Sequence, residues 1–368
     1  MKFVKADKLK IGMRLARPIY SQTGVLLYER DSKLTSQGIE SVKNFGLLGI
    51  YILEPAEPLP PMSEEDKEFE RFQTMTVFGI QEELTGILST KKQQKMQNII
   101  DMILRNYGRQ SGKINFYQNL RSKDDYIYRH AMNVAILCTL ITRVMNIRRE
   151  EREQILYAAI AHDLGKLSLP GGLAYSNELN DEQRMQVYTA QLRAGDLIEE
   201  ALGVAVKRIC NQALVAQMDF YKDEPLVYNT SNKKLVRGAN VLLVANRYDE
   251  ITGMTIEGTA GTEVQALREF YDHPEIYDPE VVGALVASVN ILFPGVSVEL
   301  NNGEKALVLA ENPADVLRPM LLRFKDNSIL DLSLRANRKI EVMDIMKTLD
   351  NRHVIDTETL KQAGFKPI

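Results

Sequence analysis

Nine residues, "EPAEPLPPM" from Glu54 to Met62, constrain the fold of this chain more than any other feature. Four of them are proline, which fixes φ and removes a backbone donor, so the stretch can join neither a helix interior nor a sheet centre. It divides the 368 residues into parts with different hydrophobic periods. Before it, "RLARPIY" and "GVLLYER" flank a Ser-Gln-Thr-Gly turn and predict a hairpin. "TSQGIESVKNFG" carries hydroxyl caps and a closing glycine, a short helix, and "IYIL" reads as a further strand. The expectation is a small α+β domain at 1–55 and a stiff linker at 56–62.

Beyond the linker the period becomes helical. "MQNIIDMILRNYG" repeats apolar residues at three- and four-residue steps, and long helices with short breaks continue to about residue 290. The period then changes again. "VSVELNNGEKALVLAENP" is two alternating runs joined by Asn301-Asn302-Gly303, and "PMLLRFKDNSILDLS" turns at Lys325-Asp326-Asn327, giving two hairpins. The reading is mainly α: a helical connector at 63–114, a helical bundle at 115–290 and a small β extension at 291–368.

Charge and cysteine use narrow the function. A net charge of −3 provides no broad basic field, so neither DNA, RNA nor an anionic membrane surface is an expected partner. "RVMNIRREEREQ" interleaves acids with bases and reads as a solvated helix start. Cys138 and Cys210 stand apart, as reduced buried thiols of a cytosolic protein do. The N-terminus lacks the apolar core of a signal peptide and no run is long enough to span a bilayer, so the expected location is cytoplasmic, without membrane insertion.

The chemistry lies in two helix-like runs. "HAMNVAILCTLI" begins with His130 and "ILYAAIAHDLGK" closes on His162-Asp163. Packed antiparallel, they bring both imidazoles to one end of a bundle. Two imidazoles and a carboxylate can hold a divalent metal with positions left open. Lys166, one turn on, can face a phosphate. His273 reads as a surface residue, His353 belongs to neither helix, and Asp249 reads as a structural cap. Tyr221, Tyr228 and Tyr248 read as packing aromatics, with stacking on a guanine as the alternative.

"DDYIYRHAMNVAILCTLI", "AAIAHDLGKLSLP", "ANVLLVANRYDEITG" and "YDPEVVGALVASVNILFPGVSVELNNGEKALVL" together resemble the HD-GYP branch of the HD-domain phosphohydrolases. The N-terminal segment resembles the small domain that often precedes it. The resemblance implies a helical HD-domain bundle and, in active members, metal-dependent opening of cyclic di-GMP. It places the first histidine on His130, the HD pair on His162-Asp163 and the lysine on Lys166. Elsewhere the pattern departs. Gln191, ahead of Gly195, stands where a histidine is expected. Gln217, Met218 and Asp219 stand where a His-His-Glu is expected, no GYP follows, and Asn246 replaces an aspartate.

Amides and a thioether compensate poorly for the charge of hard divalent ions. The resemblance therefore implies a degenerate member in which cyclic di-GMP hydrolysis is weak or lost and ligand binding or partner regulation survives. A homodimer and a protein partner are expected. Two states of the pocket remain open. The preferred one is metal-free, with the polar groups bonded to one another. The other holds one low-affinity ion, Fe, Mn or similar, on His130, His162 and Asp163 with Asn246 as a weak donor. In that state Lys166 would bind phosphate and Asp163 would orient water, giving a reduced phosphodiesterase. A third possibility is a pure interaction scaffold.

Overall fold

The computed structural model describes residues 2–45, 47, 49–53, 64–116, 121, 125–170, 173, 179–221, 235–253 and 261–346. The proline-rich linker, His353, Tyr228 and the glutamine-methionine-aspartate segment's continuation past 221 lie outside them. In the N-terminal part, β1 (Lys2–Lys5), which the sequence reading missed, pairs antiparallel with β5 (Gly49–Leu53). β5 also pairs with β2 (Arg14–Leu15). The expected hairpin is β3 (Ile19–Tyr20) with β4 (Leu26–Tyr28). Helix α1 (Ser36–Asn44) starts where the Thr35 hydroxyl accepts from the Gly38 amide. Leu15, Val42, Ile50 and Ile52 form a small separate core.

The remaining helices surround one of their number. α2 (Glu64–Thr90) leads to α3 (Met96–Tyr107), whose start has no cap of its own. Glu83 of α2 supplies it, its carboxylate accepting from the amides of Gln94 and Lys95 at 2.8 and 2.7 Å. α4 (Tyr126–Val144) is apolar on nearly every face, and a helix of that pattern must be central. It packs against α2, α3, α5 (Arg149–Ala161), α8 (Arg237–Thr252) and α10 (Pro279–Val286). α6 (Asp181–Leu202) and α7 (Val204–Tyr221) form an antiparallel pair turning at Gly203, where φ is +98°. The small residues Ala158, Ala159 and Ala161 let α5 approach its neighbours closely, and all are fully buried. α9 (Glu263–Asp272) follows α8, tied to it by a two-pronged Arg247–Glu269 pair at 2.7 and 2.8 Å.

Both C-terminal hairpins form: β6 (Ser297–Leu300) with β7 (Lys305–Ala310), and β8 (Met320–Arg323) with β9 (Ile329–Asp331). β10 (Val342–Ile345) completes a five-stranded sheet in the order β10-β6-β7-β8-β9. Its turns use the residues that tolerate left-handed backbone, Gly303 at φ +75° and Asn327 at +55°. The mainly helical architecture with small sheets towards both ends matches the expectation. No helix among the described residues is long and apolar enough to cross a membrane.

Candidate metal centre

α4 and α5 run antiparallel, joined by a short turn through Asn146, so His130 in the first turns of α4 meets His162 at the end of α5. Their Nε2 atoms lie 3.2 Å apart. Asp163 Oδ2 is 3.7 Å from His130 Nε2, and Asp163 Oδ1 is 3.6 Å from His162 Nε2. From α8, Asn246 Oδ1 reaches His130 Nε2 at 2.8 Å and His162 Nε2 at 3.0 Å. The fold thus gathers His130, His162, Asp163 and Asn246 into one buried cluster.

The other ring nitrogens decide what this cluster presents. His130 Nδ1 lies 2.6 Å from Asp249 Oδ2, and a carboxylate there requires a proton on Nδ1. His162 Nδ1 lies 2.9 Å from the carbonyl of Ala159, which requires the same. Both rings therefore carry their Nδ1 proton outward and turn Nε2 inward, the orientation that metal-ligating histidines adopt. Asn246 is oriented as well: its amide nitrogen faces Glu250 Oε1 at 3.2 Å and Gln217 Oε1 at 3.3 Å. Turning the amide over would set its oxygen against both acceptors, so Oδ1 points at the rings. The two Nε2 atoms and Asn246 Oδ1 consequently converge within 3.2 Å of one another. The convergence needs either a cation or an added proton on one ring.

Asp249 is the correction to the sequence reading. It caps no helix; it sits fully buried within α8, bonded to Arg121 Nη2 at 2.6 Å and to Asn133 Nδ2 at 3.0 Å besides His130. Burial raises its pKa, but the Arg121 guanidinium and the His130 hydrogen bond outweigh that and hold it well below the usual carboxylate range. Arg121, fully buried, also lies over the Tyr126 ring at 5.4 Å from its centroid. Sequence spacing carried no sign of Arg121. Asp249, three residues after Asn246 on the same helix, was visible but misassigned.

The α6–α7 side contributes two amides whose nitrogens face carboxylates. Gln191 is buried and its Nε2 donates to Asp163 Oδ1 at 2.7 Å. Gln217 Nε2 donates to both oxygens of Glu250, at 3.0 and 2.9 Å. Lys166 Nζ donates to Asp163 Oδ2 at 2.8 Å, so its charge is held by the carboxylate it adjoins. Burial alone would raise the Asp163 pKa, yet Lys166 and the two imidazoles keep it depressed. Burial alone would lower the Lys166 pKa, and Asp163 and Glu250 raise it. Met218 is half-buried, Tyr248 is buried in the core, and His273 lies at the surface beside Glu275. Glu250 was missed; it lies one turn beyond Asn246 on the same face of α8.

Two glycines set these positions. A Cβ on Gly165 would lie 2.5 Å from the Ala190 carbonyl oxygen and 2.6 Å from Gln191 Cα, so α6 rests directly on the turn after Asp163. A Cβ on Gly195 would meet the Asn211 side chain at 3.0 Å, where α6 approaches α7.

Among the described residues, the inward-facing donors fit one ion. Bonds of roughly 2.0–2.2 Å require neighbouring donors roughly 3.0–3.6 Å apart, close to the spacings seen here. A second ion would need further anionic or imidazole donors, and the amide nitrogens of Gln191 and Gln217 are turned to Asp163 and Glu250.

The chain is 21% identical over 255 residues to the cyclic di-GMP phosphodiesterase PA4108 of Pseudomonas aeruginosa, a match covering 67% of this chain and 58% of that protein. The relationship is distant. No family model matches, and no solved structure matches.

Proposed function

We propose that the chain is a reduced signalling module of the HD-GYP kind. Its pocket holds a single divalent ion on His130, His162 and Asp163, with Asn246 as a weak fourth donor. Cyclic di-GMP hydrolysis is weak or lost, and the module acts by binding a cyclic dinucleotide or by regulating a protein partner, as a homodimer. The observation that carries this reading is the split character of the pocket. His130, His162 and Asn246 turn Nε2, Nε2 and Oδ1 inward from α4, α5 and α8, while the amide nitrogens of Gln191 and Gln217 are taken up by Asp163 and Glu250.

A divalent ion held there would supply positive charge to polarise a phosphodiester oxygen. Asp249 fixes the His130 tautomer, and Ala159 fixes that of His162. Asp163 carries the one carboxylate charge among the four donors and shares it with Lys166, so the ion is thinly compensated. Lys166 places a second positive charge at the pocket wall, where a phosphate would meet it. The distant phosphodiesterase relative supports the substrate class.

The inward-facing Nε2 and Oδ1 atoms also favour a second reading, in which the same single ion suffices for slow hydrolysis. Incubating the purified chain with cyclic di-GMP and added Mn or Fe separates the two. Binding with no linear product supports the module. Turnover that His162→Ala abolishes supports the enzyme. Absence of both binding and turnover leaves neither standing and favours a pure scaffold.

A further inference from the structure

At the opposite end of the α4–α5 hairpin lies a cleft of about 400 Å³. Arg105 and Arg109, from the end of α3, line it together with Ile147, Arg149 and Arg152 from the turn into α5. Asp101 is the single acidic residue in its wall, and it is bonded to Arg149 Nη2 at 3.2 Å. Arg149 Nε is also held by Glu153 at 2.8 Å. Arg105 and Arg109 are exposed and have no acidic partner among the described residues. Arg152 is anchored by the carbonyls of Thr142 and Ile147, at 3.3 and 3.2 Å from its Nη2, while its buried Nε has no hydrogen-bond partner.

Packing and helix electrostatics explain part of this arrangement. Cations at the end of α3 complement its dipole, which accounts for Arg105. The start of α5 is the reverse case. Arg148 is its N-cap and Arg149 its first residue, where the dipole disfavours positive charge, and no side chain caps the helix. Glu150 and Glu151 offset some of that charge but do not line the cleft. The wall therefore carries four guanidiniums against one carboxylate, beside uncapped amides. Guanidinium forks match tetrahedral oxyanions, and the volume suits a small molecule larger than one phosphate.

We propose that this cleft binds a small anion bearing two or more phosphates. The site is separate from the imidazole pocket, about 20 Å from it along α5 at 1.5 Å per residue. It stands whether or not that pocket holds an ion. It also gives "RVMNIRREEREQ" a role beyond a solvated helix start.

The test is calorimetric titration of the full chain with inorganic triphosphate at fixed ionic strength, with and without chelator. One triphosphate binds per chain, and affinity falls as salt rises. The exposed pair Arg105→Ala/Arg109→Ala weakens binding by about tenfold per arginine, with its melting temperature unchanged to show that the fold is kept. His162→Ala leaves binding intact. Three results overturn the proposal: no binding, binding indifferent to the double substitution, or binding lost in His162→Ala, which would assign it to the imidazole pocket.

Discussion

The two sides of the pocket are built alike and behave oppositely. α4 and α5 on one side, α6 and α7 on the other, are antiparallel pairs closed by tight turns, and both bring polar side chains to the same interior. On the first side, each ring has its outer nitrogen occupied by an acceptor, which turns Nε2 inside. On the second, Gln191 spends its amide on Asp163 and Gln217 spends its own on Glu250. An amide thus hydrogen-bonds to a carboxylate at positions where an imidazole could coordinate. Binding capacity is set by which atom faces inward, and packing alone does not determine it.

The most disruptive way to break the contrast is Asp249→Ala. It removes the acceptor that sets the His130 tautomer and leaves Arg121 buried without its 2.6 Å carboxylate partner. Unfolding in urea should show a loss of about 3–5 kcal/mol, and metal affinity should drop about 10–100-fold. Gly165→Ala should cost less, about 1–3 kcal/mol, because the new Cβ would press on the α6 backbone at 2.5 Å. Thermal melts of the two variants should rank in that order.

Asn246→Asp sharpens the contrast from the other direction. A full negative charge at the Asn246 position should raise affinity for one ion by roughly tenfold without changing the number bound. Adding Gln191→His should then admit a second ion, since an imidazole lone pair replaces an amide donor. Competition against a metal-indicator dye reads both effects.

The smallest effect is on pH. Burial, the largest influence on His162, lowers its pKa, with Asp163 opposing. The unfolded chain therefore takes up a proton at His162 before the folded chain does. Stability contributed by the neutral ring is present above about pH 6.5 and declines as pH falls below it. Denaturation midpoints from pH 7.5 to 5.5 should fall in the parent chain and flatten in His162→Gln.

Much of the scaffold was legible. The apolar run of α4 marked the central helix, and Asn302-Gly303 marked the β6–β7 turn, because period and turn chemistry are local properties. The meeting of His130 with His162 followed from two helices ending at one place. β1 was missed because "KFVK" is too short to show a period. Arg121 and the amide direction of Gln191 were not legible, since they depend on partners more than twenty residues away in sequence. The sequence reading preferred a metal-free cluster by counting charges. The tautomers, visible only in three dimensions, leave two ways to satisfy the inward-facing nitrogens: an ion or an added proton on one ring.

The most direct measurement is elemental analysis of the chain after saturation with Mn or Fe and removal of free metal. The account predicts one ion per chain, lost in His162→Ala. Two or more ions per chain, none at saturation, or one that survives His162→Ala would contradict it.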